Sequence, residues 1–321
     1  MKSKGWIAAA AVLTVLGLAV IGAALACAHG DINAFGSAKF VTETVDIAED
    51  FSDIAITASI ERISFAPSGD GKCRVEFYRD ERSAVSAAVS GNALEIKAVK
   101  EGKWYENISF LSFGSPRITV YLPKTEYGAL TVSADTGSVT LPEAFAFAGV
   151  DVRTDTGDVD IASRVSGALR VNTDTGCVAC EGISAGSIDI AVSTGRVRLA
   201  SVECAGSLGV AVTTGKTTLT GVTCASFCSE GSTGDLTLEN VICSGGVIIE
   251  RSTGDVKFVN CDGAELDITT DTGDVTGSLR TDKVFIVKSD TGRIDVPETT
   301  SGGKCRIISD TGDIKISVGA N

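Results

Sequence analysis

The sequence predicts an all-β protein: a single-stacked β-solenoid of about ten coils, each 19–20 residues long, behind an N-terminal β cap and one transmembrane helix. Three observations predict it. A Thr-Gly pair recurs ten times at near-constant spacing, apolar and polar residues alternate on both sides of each pair, and a charge-free segment opens the chain.

That segment comes first. Residues 1–5 carry Lys2 and Lys4, and Trp6–Ala28 holds no charged side chain. At ~1.5 Å per residue residues 6–28 are long enough to cross a ~30 Å hydrocarbon core. The leading lysines place residues 1–5 in the cytoplasm and the rest of the chain outside. An uncleaved anchor is the first reading, because a cleaved signal peptide usually has a shorter apolar core. Ala24-Leu25-Ala26 and Ala26-Cys27-Ala28 keep a cleaved signal open, and Cys27 keeps a lipoprotein signal open. All three readings export the bulk of the protein to a cell-membrane, extracytoplasmic setting. Residues 29–40 read as a spacer.

Residues 41–128 read as β-structure capping the solenoid. Alternation is clear in Ile54-Ala55-Ile56, Arg74–Phe77, Leu94-Glu95-Ile96 and Ile118–Leu122, with turn residues at Pro67–Gly71, Gly91-Asn92 and Ser115-Pro116. A cap is needed because a bare solenoid end recruits further strands. Trp104-Tyr105, with Phe110 and Phe113, is the one aromatic cluster in the sequence outside the apolar segment. It reads as a core plug first and as a binding loop second.

Residues 129–321 are the repeats. The Thr-Gly glycines are Gly137, Gly157, Gly176, Gly195, Gly215, Gly234, Gly254, Gly273, Gly292 and Gly312, spaced 19 or 20 apart. Seven and five residues before each glycine, and two and four after it, stand mostly Leu, Ile, Val or Phe, as in Ile188, Ile190, Val197 and Leu199 around Gly195. This is a period of two on both sides of a corner, so each copy contributes two short strands. Stacked ~4.8 Å apart, ten coils extend ~45–50 Å. The glycine is expected to supply a positive φ or a close backbone approach.

At this point the chain resembles the bacterial putative-adhesin family of β-strand-repeat proteins, a domain of unknown function. The resemblance covers residues 45–317. It rests on Phe51-Ser52-Asp53-Ile54, Ile63–Ser68, Leu94-Glu95-Ile96, Val120-Tyr121-Leu122-Pro123, and the serial pattern seen at Asp155–Val159 and Asp271–Val275. It implies an exported or membrane-anchored protein and supplies no catalytic residues.

Composition agrees. The 321 residues include 36 Gly, 5 Pro and one His, with net charge −13. A nucleic-acid binder normally carries a basic face, so this acidic balance argues against that class, and His29 alone is a poor basis for imidazole catalysis. Six Asp-Thr-Gly tripeptides begin at Asp135, Asp155, Asp174, Asp271, Asp290 and Asp310, and resemble the aspartic-protease motif. Ser193, Thr213, Ser232 and Ser252 replace the aspartate in the middle copies, which fits turn chemistry better. Asp158, Asp235, Asp255, Asp274 and Asp313 follow their glycines, and stacked carboxylates of this kind raise calcium as a secondary reading. The threonine ladder suits ice binding poorly, because Val192, Val212, Gly231 and Arg251 interrupt a second file. Cys180, Cys261 and Cys305 fall at inward positions and Cys177 at an outward one. Cys204, Cys224 and Cys243 form a file whose parallel Cβ vectors are expected to stay ~4.8 Å apart, favouring packed thiols over disulfides or zinc.

The expectation is therefore a protein that is not an enzyme, with no catalytic, metal or cofactor residue to name. It would be a membrane-anchored surface scaffold or adhesin-like module, held in the membrane through residues 6–28, with a surface protein or polysaccharide as the ligand class. A carbohydrate-active solenoid enzyme and an envelope sensor with a membrane partner are the alternatives; a cleft holding several carboxylates and an aromatic would favour the enzyme.

Overall fold

The structure is a computed structural model that describes residues 12–17, 39–99 and 114–319. Residues 12–17 are helical, and no helix among the described residues is long and apolar enough to cross a membrane. Most of the expected span over residues 6–28 lies outside the described residues, as do Trp104, Tyr105, Phe110 and Phe113.

The remainder is a β-solenoid. The N-terminal strands are β1 (Phe40–Ile47), β2 (Asp53–Ala58), β3 (Arg62–Pro67), β4 (Cys73–Asp80), β5 (Ala84–Ser90), β6 (Ala93–Val99) and β7 (Arg117–Leu122). The repeats begin with β8 (Glu126–Thr136), β9 (Val139–Leu141), β10 (Ala146–Thr156) and β11 (Val159–Ile161). They continue through β12 (Arg164–Glu181), β13 (Ser184–Cys204), β14 (Ser207–Cys224), β15 (Ser226–Thr233), β16 (Leu236–Cys243), β17 (Gly246–Thr253) and β18 (Val256–Cys261). The last are β19 (Glu265–Thr272), β20 (Val275–Leu279), β21 (Lys283–Thr291), β22 (Ile294–Asp295), β23 (Gly303–Thr311) and β24 (Ile314–Val318).

Successive repeats pair in parallel and in register. Ile188 lies beside Leu208, Val197 beside Thr217, and Gly195 beside Gly215. The apolar positions flanking each corner face inward: Leu169, Ile190, Val197 and Leu199 are at most 1 % exposed.

At the Thr-Gly corners both glycine properties operate together. Gly234 has φ 131°, and a Cβ there would stand 1.8 Å from the Gly215 carbonyl oxygen of the preceding coil. Its own N–H donates to the Thr253 carbonyl of the next coil. A side chain would break both the conformation and the stacking distance.

The middle coils have two further corners. Six residues after the glycine the backbone is left-handed, at Gly182, Ser201, Gly221, Asn240 and Asn260 (φ 52–65°). Asn tolerates this region, and Asn260 Nδ2 donates to Asn240 Oδ1 at 2.7 Å along the file. Nine residues before the glycine the chain turns on Gly167, Gly186, Gly206 and Gly245, where a Cβ would come within 2.8 Å of a carbonyl of the coil below.

At the N-terminal end β2 and β3 pair in parallel with β8 and β9, and β6 and β7 pair with β2 and β3 in turn. Antiparallel β5 closes β6, while β4, flanked by β1, closes β7. Inside this end the fold gathers a second aromatic cluster from residues far apart in sequence. Phe51 stacks on Tyr127 (centroids 5.8 Å apart), Tyr127 meets Phe145 and Phe147, and Phe147 meets Phe65. The sequence alone shows only the local cluster around Trp104.

At the other end the coils do not stack in chain order. β23 pairs with both β19 and β21, and β24 pairs with both β20 and β22. The last coil is therefore inserted between its two predecessors in sequence, and β21 and β22 form the outer layer. The corner bonds agree, with Gly273 N–H donating to Thr311 and Gly312 N–H to Thr291. Cys305, Ile307, Ile314 and Ile316 of the inserted coil are buried, whereas Ile286 and Ile294 of the outer coil are 52 % and 45 % exposed.

Candidate functional site

Apolar side chains fill the interior, so the surface open to a ligand lies along the outward files. The six Asp-Thr-Gly aspartates are all exposed along the corner ridge, in file rather than facing one another across a cleft. An aspartic-protease dyad needs two carboxylates sharing one proton, and a ridge does not bring them together that way.

The aspartates after the glycine have a structural task. Asp235 Oδ1 accepts the Asp255 N–H, Asp255 Oδ1 the Asp274 N–H, Asp274 Oδ1 the Asp313 N–H, and Asp313 Oδ1 the Arg293 N–H, at 2.8–3.2 Å. Asp158 does the same for Cys177. Each bond ties one coil to the next, and the sequence of partners follows the exchanged order of the last two coils. Among the described residues no group of three or more metal-ligating side chains could hold a metal ion.

The cysteines divide as their positions require. Cys177 is exposed, and Cys180 and Cys305 are fully buried, their thiols pushed up to about 12 by desolvation. Cys224 and Cys243 are free and buried, and they pack as neighbouring thiols. Their side chains converge to Sγ···Sγ 3.1 Å.

Several concavities of about 420–610 Å³ mark the surface, and two have linings that bear on function. One, of about 420 Å³, lies where the N-terminal cap meets the repeats, between Asp46–Phe51, Gly71–Cys73 and Pro123–Tyr127. It holds carboxylates and aromatics, the combination that would favour an enzyme. However, Phe51 and Tyr127 are each 7 % exposed and stacked on one another, so they form a floor and not a platform for a sugar ring. The Tyr127 hydroxyl accepts the Lys124 N–H, and burial pushes its phenol up to about 12.

The second is a lateral groove of about 470 Å³ that crosses β12, β13, β14, β15 and β17. Small residues on consecutive coils leave room for it. Ser187, Ser207, Ser226 and Gly246 line one side, and the next outward file runs Arg170, Asp189, Gly209, Cys228, Ile248 in register. Arg170 and Asp189 put opposite charges at one end, and Ile248, 48 % exposed, walls the other. Four coil spacings of ~4.8 Å make it ~19 Å long, enough for about six extended residues. On another outward face Arg196, Arg198 and Lys216 form an exposed basic band beside the acidic corner file.

The sequence named no site residue, and the groove shows why one was hard to see. Its signal is a run of small residues at one coil position, which alignment on the glycines contains but which resembles ordinary surface variation.

Comparison with known proteins identifies the lineage. The Toastrack DUF4097 family matches residues 51–211, half of the chain. No functionally curated protein matches. Solved structures resemble it at low identity. A putative lipid binding protein from Parabacteroides distasonis (14 % identical, TM-score 0.46) aligns over 75 % of this chain and 94 % of its own. A putative adhesin from the same organism (14 %, TM-score 0.44) aligns over 87 % and 98 %, and one from Parabacteroides merdae (12 %, 0.45) over 88 % and 97 %. The chain belongs to the Toastrack DUF4097 family.

Proposed function

We propose that the protein is a non-catalytic binding scaffold, anchored in the cell membrane through residues 6–28 with its solenoid outside, and that an extended segment of a surface protein or polysaccharide lies in the lateral groove. The observation that carries this reading is the groove itself, a shallow channel open along its length whose ends differ in charge and polarity. Such a channel suits a linear ligand better than a small enclosed one. The uncharged N-terminal segment behind Lys2 and Lys4 supports the anchor.

The test is binding of the full chain to a panel of cell-surface polysaccharides and unfolded peptide segments, compared with Gly209→Trp, which fills the groove floor. Saturable binding that Gly209→Trp weakens at least tenfold, with unchanged circular dichroism, is expected. Saturable binding that Gly209→Trp leaves intact, or none to either class, would overturn the reading.

A further inference from the structure

Cys224 and Cys243 end β14 and β16 at equivalent positions of adjacent coils and are direct register partners. In-register parallel strands place their Cα atoms ~4.8 Å apart, inside the span a disulfide bridges. Both side chains turn toward one another, and the sulfurs meet at 3.1 Å in a buried setting, 6 % and 4 % exposed. The other buried sulfurs are placed differently: Cys261 Sγ donates to the carbonyls of Leu238 and Val259, and Cys204 Sγ to that of Ser207.

We propose that Cys224 and Cys243 are an oxidisable pair that a peroxide converts to a disulfide, stapling two coils together beside the groove. The pair lies two or three residues before Ser226 and Gly246, which line one side of the groove. The two sulfurs have different roles. With the Cys243 thiol as donor, its hydrogen bond holds Cys224 below the ordinary thiol range, and that bond together with burial pushes Cys243 above it. Cys224 is thus the more readily ionised of the two, and it attacks in its thiolate form. Its sulfur attacks hydrogen peroxide, taking one oxygen as sulfenic acid and releasing hydroxide. The Cys243 sulfur then attacks the Cys224 sulfur, the S–O bond breaks, and the Cys243 proton leaves with the hydroxyl as water. Overall two thiols are oxidised, one peroxide is reduced, and two waters form.

The experiment treats the full chain with hydrogen peroxide, blocks remaining thiols under denaturing conditions and maps the peptides by mass spectrometry without reduction. The expected product joins the peptides bearing Cys224 and Cys243, two hydrogen masses lighter than the thiols and separable by dithiothreitol, with Cys180 and Cys305 recovered blocked. Oxidation also raises the midpoint of thermal unfolding, and reduction returns it. In Cys243→Ser the sulfenic acid persists on Cys224 and reacts with dimedone. Recovery of both cysteines as free thiols after Cys177 has been oxidised would overturn the proposal, and so would Cys224 joined to another cysteine. Both are read on the unaltered protein, so folding of the variant does not limit the test.

Discussion

Arg251 is a cation buried inside the solenoid. Its position, three residues before the corner glycine, holds Thr154, Thr173, Val192, Val212 and Thr270 in other coils. The arginine is 4 % exposed; its Nη2 donates to Ser229 Oγ at 2.7 Å, and its Nε has no partner. Two neighbours have changed to admit it: Ser229 replaces the Val or Ile of its file, and Gly231 leaves a notch that a Cβ would fill 1.6 Å from Nη1. Desolvation lowers its pKa. Arg251→Met keeps most of the stem and removes the buried charge and its unpaired donor, a gain of about 1–3 kcal/mol. The partly empty notch costs about 1 kcal/mol of that. The net gain of about 0–2 kcal/mol corresponds to a rise of up to about 8 °C in thermal midpoint. Ser229→Val should destabilise the arginine protein by about 1 kcal/mol or more, because it removes the one acceptor, yet stabilise the Arg251→Met protein. Thermal unfolding of the four proteins forms a double-mutant cycle with a coupling of about 2 kcal/mol. A lower midpoint for Arg251→Met, or the same effect of Ser229→Val in both backgrounds, would refute the reasoning.

Two other substitutions follow from single contacts. Gly215→Ala puts a Cβ 1.7 Å from the Gly195 carbonyl at a residue with φ 141°, and should cost more than about 2 kcal/mol, read as a lower midpoint in a thermal melt. Asp262→Asn leaves Lys283, whose side chain is 4 % exposed and bonded to Asp262 Oδ1 at 2.7 Å, without its counter-charge, and should cost about 2 kcal/mol given the partial exposure of Asp262. Partial burial disfavours the charged form of Asp262, but the hydrogen bonds from Lys283, Thr281 and the Gly263 N–H outweigh it and hold the carboxyl below its ordinary 3.8. A depressed carboxyl stabilises above its unfolded value and loses that contribution as pH falls through the folded one, so the cost of Asp262→Asn should be constant at neutral pH and shrink below about pH 4. Unfolding midpoints across about pH 2.5–7 in overlapping buffers check this.

The coil and its inward residues are legible in sequence because a period of two around a regular glycine leaves few alternatives. The alternation alone places Val197 and Leu199 inside. The left-handed corner recurs six residues after five of the glycines, from Gly176 to Gly254, but its residue varies among Gly, Ser and Asn, and only the backbone shows what they share. The exchange of the last two coils leaves no local trace. Parallel coils with the same corner and the same inward residues are interchangeable neighbours as far as pattern goes, and β23 offers β19 Cys305 and Ile307 where, in chain order, β21 would have offered Phe285 and Val287. Ser229, Gly231 and Arg251 are each visible as departures from their files, yet their mutual compensation emerges only when adjacent coils are superposed. The groove is hidden for a related reason, since small residues at one coil position carry meaning only once the register stacks them.

Every assignment of neighbours on the outer faces depends on the order in which coils stack, and that order is directly measurable. Thr272, Thr311 and Thr291 occupy one exposed file in the order β19, β23, β21. Cysteine pairs introduced at 272/311 and 311/291 should be joined within one chain by a short thiol cross-linker, while the pair at 272/291, two coil spacings (~9.6 Å) apart, should react far more slowly. Preferential joining of 272/291 over 272/311 would show that the coils stack in chain order and would contradict the architecture described for this end of the molecule.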